Sequence, residues 1–362
     1  MLSIEMFPAA QGDCLWVEYG DQRRPNRVLI DGGTAPTYSA LRDRVDRLHP
    51  DDRRFDLLII THVDADHIEG VVRLLGDADL GVTFDDVWFN GWTHLPAPPE
   101  DKLGPVQGEF LTALISKRKE PWNRAFSGGP VVVSEGGSLP QAILTGGMKI
   151  TLLSPTQNEL AKLRPAWNKV VRAAGLEPGV AKDALAQLAK VKKPQPDVLG
   201  KPGLDVVAIA ARQFQPDTAL ANGSSIAILA EVDGKGLLLA GDAFAPVLAA
   251  SVERLVEERQ IDRLSLAAFK VPHHGSKANI NVELLGLVRC KRYLFSTNGK
   301  IFNHPDVECV ARVITHGGKK RDLHFNYRTE DNEIWDDQEL MDKYGYSVVY
   351  PEDGSAGLRV SV

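Results

Sequence analysis

The sequence predicts an α/β protein, because runs with strand composition alternate with stretches whose apolar residues recur at helical spacing. The clearest unit begins with the apolar run 55–60, which has the length of a buried strand. Residues 68–75 then space their apolar positions as a helix does. The polar residues 61–67 therefore occupy a strand-to-helix loop, in which Asp66 is predicted to be the helix N-cap.

Two pairs of strand-like runs predict β-hairpins. The first pair, 11–19 and 28–33, ends in the turn signal Asp-Gly-Gly. The second pair, 222–232 and 236–242, is joined by Asp-Gly-Lys, and Asp-Gly between such runs favours a tight hairpin. Further along the chain, a helix is predicted at 307–314, and closing strands at 346–350 and 357–362.

The loop 61–67, Thr-His-Val-Asp-Ala-Asp-His, concentrates four side chains of the types that bind metals. His62 and Asp64 are two positions apart and project to one side of an extended loop. Asp66 and His67 are adjacent and diverge toward a second point. Such a string arises by chance at a rate on the order of one in a thousand chains of this length. The layout predicts a site for two metals.

With this loop the chain resembles the metallo-β-lactamase superfamily, whose hallmark is a His-x-His-x-Asp-His loop. Asp64 stands where that family usually has its second His. A narrower resemblance, to the branch that contains the nuclease-like domain of the competence protein ComEC and the phosphorylcholine esterases, depends on four further segments. These segments are 11–33, 222–242, 269–277 and 295–305. The resemblance implies an αββα sandwich: two mixed sheets face to face, helices outside, and the metal centre at one edge.

The same resemblance implies a single domain over residues 1–312. A helical insertion, 155–205, interrupts it, and a C-terminal extension, 313–362, packs on it. Within the insertion, apolar spacing over 160–171 and 184–191 predicts two helices. Insertions of this superfamily near the site often serve as lids or substrate platforms, and simple packing is the alternative.

The resemblance also assigns a ligand set. The residues assigned to the first metal are His62, Asp64 and His273. The residues assigned to the second are Asp66, His67 and His304. Asp242 would bridge the two metals, because the two oxygens of a carboxylate can each bind one cation. Asp31 would orient a ligand from behind.

The adjacent pair His273 and His274 leaves alternatives open. Neighbouring side chains in extended chain point in opposite directions, so we expect only one of the pair, His273, to be a ligand. His274 would then orient substrate or protonate a leaving group, or be the ligand with the roles exchanged. The predicted catalytic residues are Asp66, Asp242 and His274.

Two divalent ions and three carboxylates sum to one positive charge, and a bridging hydroxide brings the ligand set to neutral. A carboxylate at position 64 in place of an imidazole hardens the site and shifts its preference from zinc toward manganese, although affinity trends still favour zinc. The predicted cofactors are therefore two divalent ions, zinc or manganese.

Hydrolysis is the chemistry that such a centre supports, because paired cations lower the pKa of bound water and make hydroxide near neutral pH. The sequence has no Gly-x-Ser-x-Gly elbow, Walker loop or Rossmann fingerprint. The first hypothesis is a phosphodiesterase or nuclease-like enzyme, and lactone, thioester or amide hydrolysis is the alternative. A rival of another class is a non-catalytic metal-binding sensor or scaffold that works with partner proteins.

Composition limits these functions. The net charge of −6 argues against a protein that binds nucleic acid over its whole surface. The basic clusters 117–119, 190–193 and 319–321 are typical of solvated loops or helix ends, and support a polyanionic substrate only if two of them flank the centre. No run approaches membrane-spanning length, no secretion signal is evident, and the three cysteines are scattered, so we expect a cytoplasmic protein without membrane contact.

Three histidines outside the motifs have weaker signals. His94 follows Trp88 and Phe89, which are predicted to pack in the core, and it is a candidate for substrate contact. His316 and His324 are predicted to be structural residues with satisfied hydrogen bonds.

Overall fold

The computed structural model describes residues 1–96, 106–174, 176, 178–179, 204–352 and 354–362. The strands of this part, β1 to β18, are Leu2–Met6, Leu15–Tyr19, Asn26–Ile30, Arg54–Phe55, Leu57–Ile59, Thr83–Phe84, Val87–Trp88, Gln141–Ile143, Lys149–Ser154, Ala227–Val232, Lys235–Leu239, Leu264–Leu266, Ala268–Lys270, Val288–Cys290, Arg292–Phe295, Arg321–Phe325, Tyr346–Val349 and Leu358–Ser361. The helices, α1 to α11, are Thr37–Asp46, Ala65–Gly76, Val106–Arg118, Gln157–Ala173, Val206–Ala210, Leu220–Gly223, Ala245–Glu258, Val282–Leu287, Val307–His316, Glu330–Glu333 and Gln338–Tyr344.

Two large sheets form the centre of the molecule. The first has six strands in the order β18-β1-β2-β3-β5-β7, and the second has eight in the order β17-β16-β15-β13-β11-β10-β9-β8. Their facing sides share one apolar core, to which Val17 of the first sheet and Leu238 of the second both belong. The prediction of two mixed sheets packed face to face is therefore confirmed.

Helices cover the outer face of each sheet, and the strand residues alternate accordingly. Along β3, Val28 and Ile30 face the core between the sheets, whereas Leu29 packs in a second cluster with residues of α1 to α4. The period of two follows from the pleat of a strand. On the other sheet, α7 and α9 pack their apolar faces onto the strands. The layers are helix, sheet, sheet and helix, as the αββα prediction requires.

The central strands are parallel, and this brings the functional loops together. Strand β3 runs parallel to β5 in the first sheet, and β11, β13 and β15 run parallel in the second. The loops that leave the carboxyl ends of parallel strands meet at one edge of a sheet, the usual place for a binding site in α/β folds. The loop 60–64 leaves β5, and loops 240–244 and 271–274 leave β11 and β13.

Two local predictions have different outcomes. The hairpin between β10 and β11 is confirmed, and Asp233 and Gly234 both have the positive φ angles, 50° and 73°, that a tight turn of this kind requires. The N-cap of α2 is Asp64 rather than Asp66, so that prediction was wrong. The helix begins two residues earlier than its apolar spacing indicated, because Ala65 and Asp66 contribute no apolar signal.

The insertion and the extension are described in part. Helix α4 confirms the first helix predicted in the insertion, and the second, 184–191, lies outside the described residues. The extension supplies β16 and β17 to the eight-stranded sheet, and β18 pairs antiparallel with β1. Helix α9 runs across the predicted boundary at 312/313. Residues 313–362 are therefore part of both sheets.

In the described part of the chain, no helix combines the length and the apolar character that crossing a bilayer requires.

Glycines permit a close approach between α2 and the loop that follows β3. A Cβ on Gly70 would lie 1.9 Å from the backbone oxygen of Gly32. We predict that Gly70→Ala lowers the free energy of unfolding by about 2 kcal/mol, because the backbone atoms it would contact cannot move independently. Chemical denaturation measures this change.

Gly76→Ala is the matched control, because Gly76 lies in the same helix and a Cβ there meets nothing within 4 Å. This change should raise the free energy of unfolding by about 0.5 kcal/mol through loss of chain entropy in the unfolded state. Equal stabilities of the two variants would contradict the close approach.

Candidate metal centre

The site is built around the buried carboxylate of Asp242, which follows β11. Four imidazoles point their Nε2 atoms at its Oδ2 atom. The distances are 3.4 Å for His67, 3.6 Å for His274, and 3.7 Å for both His62 and His273. The Oδ1 atom of Asp242 is buried and has no hydrogen-bond partner among the described residues. One carboxylate therefore faces histidines from two separate loops, 61–67 and 271–274.

The loop 61–67 contributes two carboxylates, Asp64 and Asp66, which lie on different sides of Asp242 and its four imidazoles. The Oδ2 atom of Asp64 is 3.6 Å from Nε2 of His62, and the Oδ2 atom of Asp66 is 3.9 Å from Nε2 of His274. Asp64 makes no capping hydrogen bond to α2, so its oxygens are not engaged by the helix. The two acids diverge as their spacing in the sequence predicts.

Both members of the His273–His274 pair face the centre, and the expectation that only one would do so was wrong. That expectation assumed an extended backbone. The two residues instead form a tight turn with φ angles of 48° and 55°, which brings both side chains to the same side. Nδ1 of His273 donates to Oδ1 of Asn279 at 2.9 Å, and Nδ1 of His274 donates to the carbonyl of Ser296 at 2.9 Å. Each ring therefore presents Nε2 to Asp242.

His304 lies beside His273 with a buried Nδ1 atom that has no hydrogen-bond partner among the described residues, and its assignment to the second metal stays a prediction. Its ring centroid is 5.3 Å from that of His273, and its Nδ1 atom is 3.5 Å from Asp306. The residue beside His67 is His274 instead, with the two Nε2 atoms 3.2 Å apart. The structure thus groups His274 with Asp66 and His67, and places His304 next to His273. A lone His before Pro carried no information about its partner.

Hydrogen bonds from behind orient the two histidines of the loop. Oδ2 of Asp31 accepts from Nδ1 of His67 at 2.8 Å, and the backbone and hydroxyl of Thr61 both donate to Asp31. Nδ1 of His62 lies 3.0 Å from the Thr61 hydroxyl and 3.1 Å from that of Ser225. Asp31 therefore lies where the sequence predicts, behind a ring that faces Asp242.

Sequence reasoning missed several polar residues of the site. Asp13 is buried and belongs with His67, Asp242 and His274 to a group whose candidate ligand atoms all lie within 4.8 Å of one another. It forms an ion pair with the buried Lys270. A charged residue inside the apolar strand that ends at Lys270 was the signal that could have found this pair.

Asp217 was missed as well. Its carboxylate is 3.4 Å from Nδ1 of His273 and accepts hydrogen bonds from Asn222 at 2.7 Å and Asn279 at 3.0 Å. It precedes β10 in a stretch with no regular pattern, so nothing local in the sequence pointed to it.

Electrostatic coupling across the centre is strong. Burial alone would raise the pKa of the Asp242 carboxyl, but the imidazoles of His67, His274 and His273 hold it well below its usual value. Burial alone would lower the pKa of His274, yet Asp242 and Asp13 raise it to about 9. Without a cation, protons on the imidazoles supply the positive charge that the buried carboxylates need. A divalent cation would replace those protons.

The residues fit a divalent metal. Nε2 of His62 and Oδ1 of Asp242 are buried and lack hydrogen-bond partners in the described structure. Leaving such atoms unpaired costs free energy, and a cation between them would satisfy both. A donor set of imidazole nitrogens and carboxylate oxygens suits zinc and manganese alike. The number and identity of the metals stay predictions.

The remaining histidines lie in other surroundings. His94 is buried, packs edge-on against Trp122 at 4.6 Å between centroids, and accepts from the backbone of Gly91. These contacts hold it in the core, where Trp88 and Phe89 are also buried, as predicted.

The prediction for His324 was wrong in one respect. The residue is buried, but neither ring nitrogen has a hydrogen-bond partner among the described residues. Burial lowers its pKa to about 4, so its ring is neutral. His316 is exposed at the end of α9.

Two of the basic clusters contain arginines that bind within the fold. Arg118 pairs with Glu120 and donates to the carbonyl of Val82, and the buried Arg321 donates to backbone carbonyls that include that of Tyr344. The third cluster, 190–193, lies outside the described residues. Neither described arginine is free to bind a substrate phosphate.

Two packed sheets, outer helices and a histidine-rich loop at the carboxyl edge of the strands define the architecture. The chain has the metallo-β-lactamase fold. No protein-family model matches the sequence, and no curated protein does.

Solved structures with a similar metallo-β-lactamase fold differ widely in sequence. The metallo-β-lactamase fold protein YhfI from Bacillus subtilis is 10% identical in sequence, with a TM-score of 0.41; the match covers 99% of this chain and 98% of YhfI. CmlA, a diiron β-hydroxylase from Streptomyces venezuelae, is 12% identical, with a TM-score of 0.41 over 99% of this chain and 54% of its own. The long form of RNase Z from yeast is 9% identical, with a TM-score of 0.37 over 98% of this chain and 45% of its own. The narrower resemblance to the ComEC and phosphorylcholine esterase branch stays a prediction.

Asp242→Asn tests the centre directly. The amide keeps the shape of the carboxylate but removes the charge that faces four imidazoles, so metal affinity should fall by more than the roughly 10- to 100-fold typical of losing an outer partner. Metal analysis of the purified protein after dialysis measures the loss. Asp262→Asn, at an exposed position before β12, is the control and should retain the wild-type metal content. Equal metal content in both variants would show that Asp242 is not a ligand.

Proposed function

We propose that the protein is a metal-dependent hydrolase that cleaves phosphodiesters. The observation that carries the proposal is the convergence of four imidazole Nε2 atoms on the buried Asp242 carboxylate, with Asp64 and Asp66 beside it. His62, Asp64 and His273 would hold one cation, and Asp66, His67 and His274 another, with Asp242 between them. When bound, such cations supply hydroxide near neutral pH and neutralise charge that develops on the attacked group.

Side-chain exposure indicates the side from which substrate approaches. Asp64 is 47% exposed and His273 is 23% exposed, whereas His62 and His67 are fully buried. Substrate therefore meets the centre across Asp64 and His273. Substrate can therefore contact His273 but not the buried His274.

The three cysteines are unsuited to act as nucleophiles, which is consistent with attack by water. All three cysteines are buried. Burial raises the pKa of the Cys290 thiol to about 12 and raises that of Cys14 well above its usual value. Such thiols stay protonated at neutral pH and are poor nucleophiles.

Two arguments favour a phosphodiester over an acyl substrate. Paired cations can stabilise both the attacking and the leaving oxygen of an in-line displacement at phosphorus. The relatives that the motifs most resemble act on phosphate esters. Lactone, thioester and amide substrates are the alternative outcomes of the test below.

The test is a substrate screen with the metal-loaded protein. Bis-p-nitrophenyl phosphate, single- and double-stranded DNA, and RNA are compared with a lactone, a thioester and an amide, with zinc or manganese present. We expect hydrolysis of phosphodiesters, and a loss of at least about 100-fold in Asp242→Asn. Turnover of the acyl compounds alone would overturn the phosphodiester assignment. No turnover at full metal content would favour a sensor or scaffold.

His273→Gln separates two roles for that residue. If His273 protonates the leaving group, the loss should be about 100-fold or more for a dinucleotide, whose alkoxide needs a proton, and much smaller for bis-p-nitrophenyl phosphate, whose phenolate does not. Steady-state kcat values for the two substrates measure the difference.

His316→Gln, at the exposed end of α9, is the control and should leave both rates unchanged. Equal losses for the two substrates in His273→Gln would instead indicate that His273 acts as a metal ligand only.

A further inference from the structure

Asp13 and Lys270 form a fully buried ion pair beside the centre. Nζ of Lys270 is 2.5 Å from Oδ2 of Asp13, and the two side chains are 0% and 1% exposed. Asp13 lies in the loop between β1 and β2, and Lys270 ends β13, so the pair joins the two sheets. A lysine is almost never fully buried unless it is paired, and this one ends a strand in the middle of a sheet.

The second oxygen of Asp13 faces His274. Its Oδ1 atom has no hydrogen-bond partner in the described structure and lies 3.5 Å from Nδ1 of His274. The proton on that nitrogen is directed to the carbonyl of Ser296 at 2.9 Å. Lys270 binds Oδ2 of Asp13, and this leaves Oδ1 directed toward the Nδ1 side of the His274 ring.

The loop that carries Asp13 packs tightly against its neighbours. A Cβ on Gly12 would lie 1.7 Å from the backbone oxygen of Asp66, so the two backbone segments are in direct contact. The hydroxyl of Ser296 donates to the carbonyl of Gly12 at 3.0 Å. The loop of Asp13 therefore contacts both Ser296, whose carbonyl accepts from His274, and the loop that carries Asp66.

Asp13 approaches the Nδ1 side of His274, whereas Asp66 and Asp242 approach the Nε2 side. This geometry separates Asp13 from the ligands, although it belongs to the same group of buried residues. We propose that Asp13, fixed by Lys270, is a positioning residue that keeps Nε2 of His274 turned toward the metal and stabilises the positive charge which that ring gains on binding a cation. The proposal rests on the metal centre of the proposed function.

The test compares Asp13→Asn, Lys270→Met and the double variant. Each protein is titrated with zinc against a chromophoric chelator, and its stability is measured by denaturation. We expect Asp13→Asn to weaken one bound zinc by about 10- to 100-fold, the range found when a partner behind a ligating histidine is removed. Lys270→Met should lose stability, because it leaves Asp13 buried and unpaired.

The double variant distinguishes positioning from a purely structural role. A structural pair predicts that removing both charges restores stability and zinc affinity together. The proposal predicts that stability recovers while zinc binding stays at least about 10-fold weaker than wild type. The absorption spectrum of the cobalt-substituted protein provides a second readout, and a changed ligand field in Asp13→Asn is expected, because His274 loses the negative charge behind its ring.

A matched control uses the pair Arg259 and Glu231, which form two 2.7 Å hydrogen bonds away from the centre. Arg259→Met with Glu231→Gln should change stability and leave zinc affinity unaltered. Wild-type zinc affinity and an unchanged cobalt spectrum in Asp13→Asn would overturn the proposal. Absence of zinc binding in the wild-type protein would instead overturn the proposed function, so the two failures are distinct.

Discussion

A buried carboxylate that faces four imidazoles is the constraint on which the site depends. Asp242 is almost completely removed from water, and a buried charge is costly unless groups of opposite charge surround it. The carboxylates around His67, His273 and His274 raise the pKa values of these rings, so protons on them meet this requirement, and a bound cation would meet it more completely. The residues that orient the rings, such as Asp31 behind His67 and Asn279 behind His273, are therefore as necessary as the rings themselves.

The fold meets this constraint by bringing distant segments to one edge. Parallel pairing of β11 with β13 places Asp242 beside the turn of His273 and His274, and β5 brings the loop of His62 and His67 from the other sheet. Glycines allow close packing within the first sheet's side of the site. A side chain on Gly12 would overlap Asp66, and one on Gly32 would overlap the backbone of α2. These two glycines thus set how closely α2, which carries Asp66 and His67, approaches two other loops of the six-stranded sheet.

Local features of the site were predictable, whereas pairings across the fold were not. The spacing of His62, Asp64, Asp66 and His67 showed correctly that the two acids diverge, because that depends only on neighbouring residues. His273 and His274 both face the centre because each has a positive φ angle. Non-glycine residues rarely adopt such angles, and no pattern in the sequence indicated them.

Contacts between residues far apart in the chain were missed for the same reason. The Asp13–Lys270 pair links residues 257 positions apart, and the pairing of β18 with β1 joins the two ends of the described chain. The position of His304 beside His273 likewise depends on how a long loop returns to the edge.

The carboxylate at position 64 has a physical consequence for substrate binding. Asp64 is the N-cap of α2, and the amino terminus of a helix stabilises a negative charge. Burial alone would raise its pKa, but His62 and His67 hold that pKa below the usual value, so the group is charged at neutral pH. If Asp64 binds a cation as proposed, a third acid among the ligands would leave the centre with less positive charge than an imidazole at this position would. The proposed phosphodiester substrate would then be attracted less strongly by overall charge, and its selection would depend more on direct contacts of its phosphate oxygens with the cations and with His273.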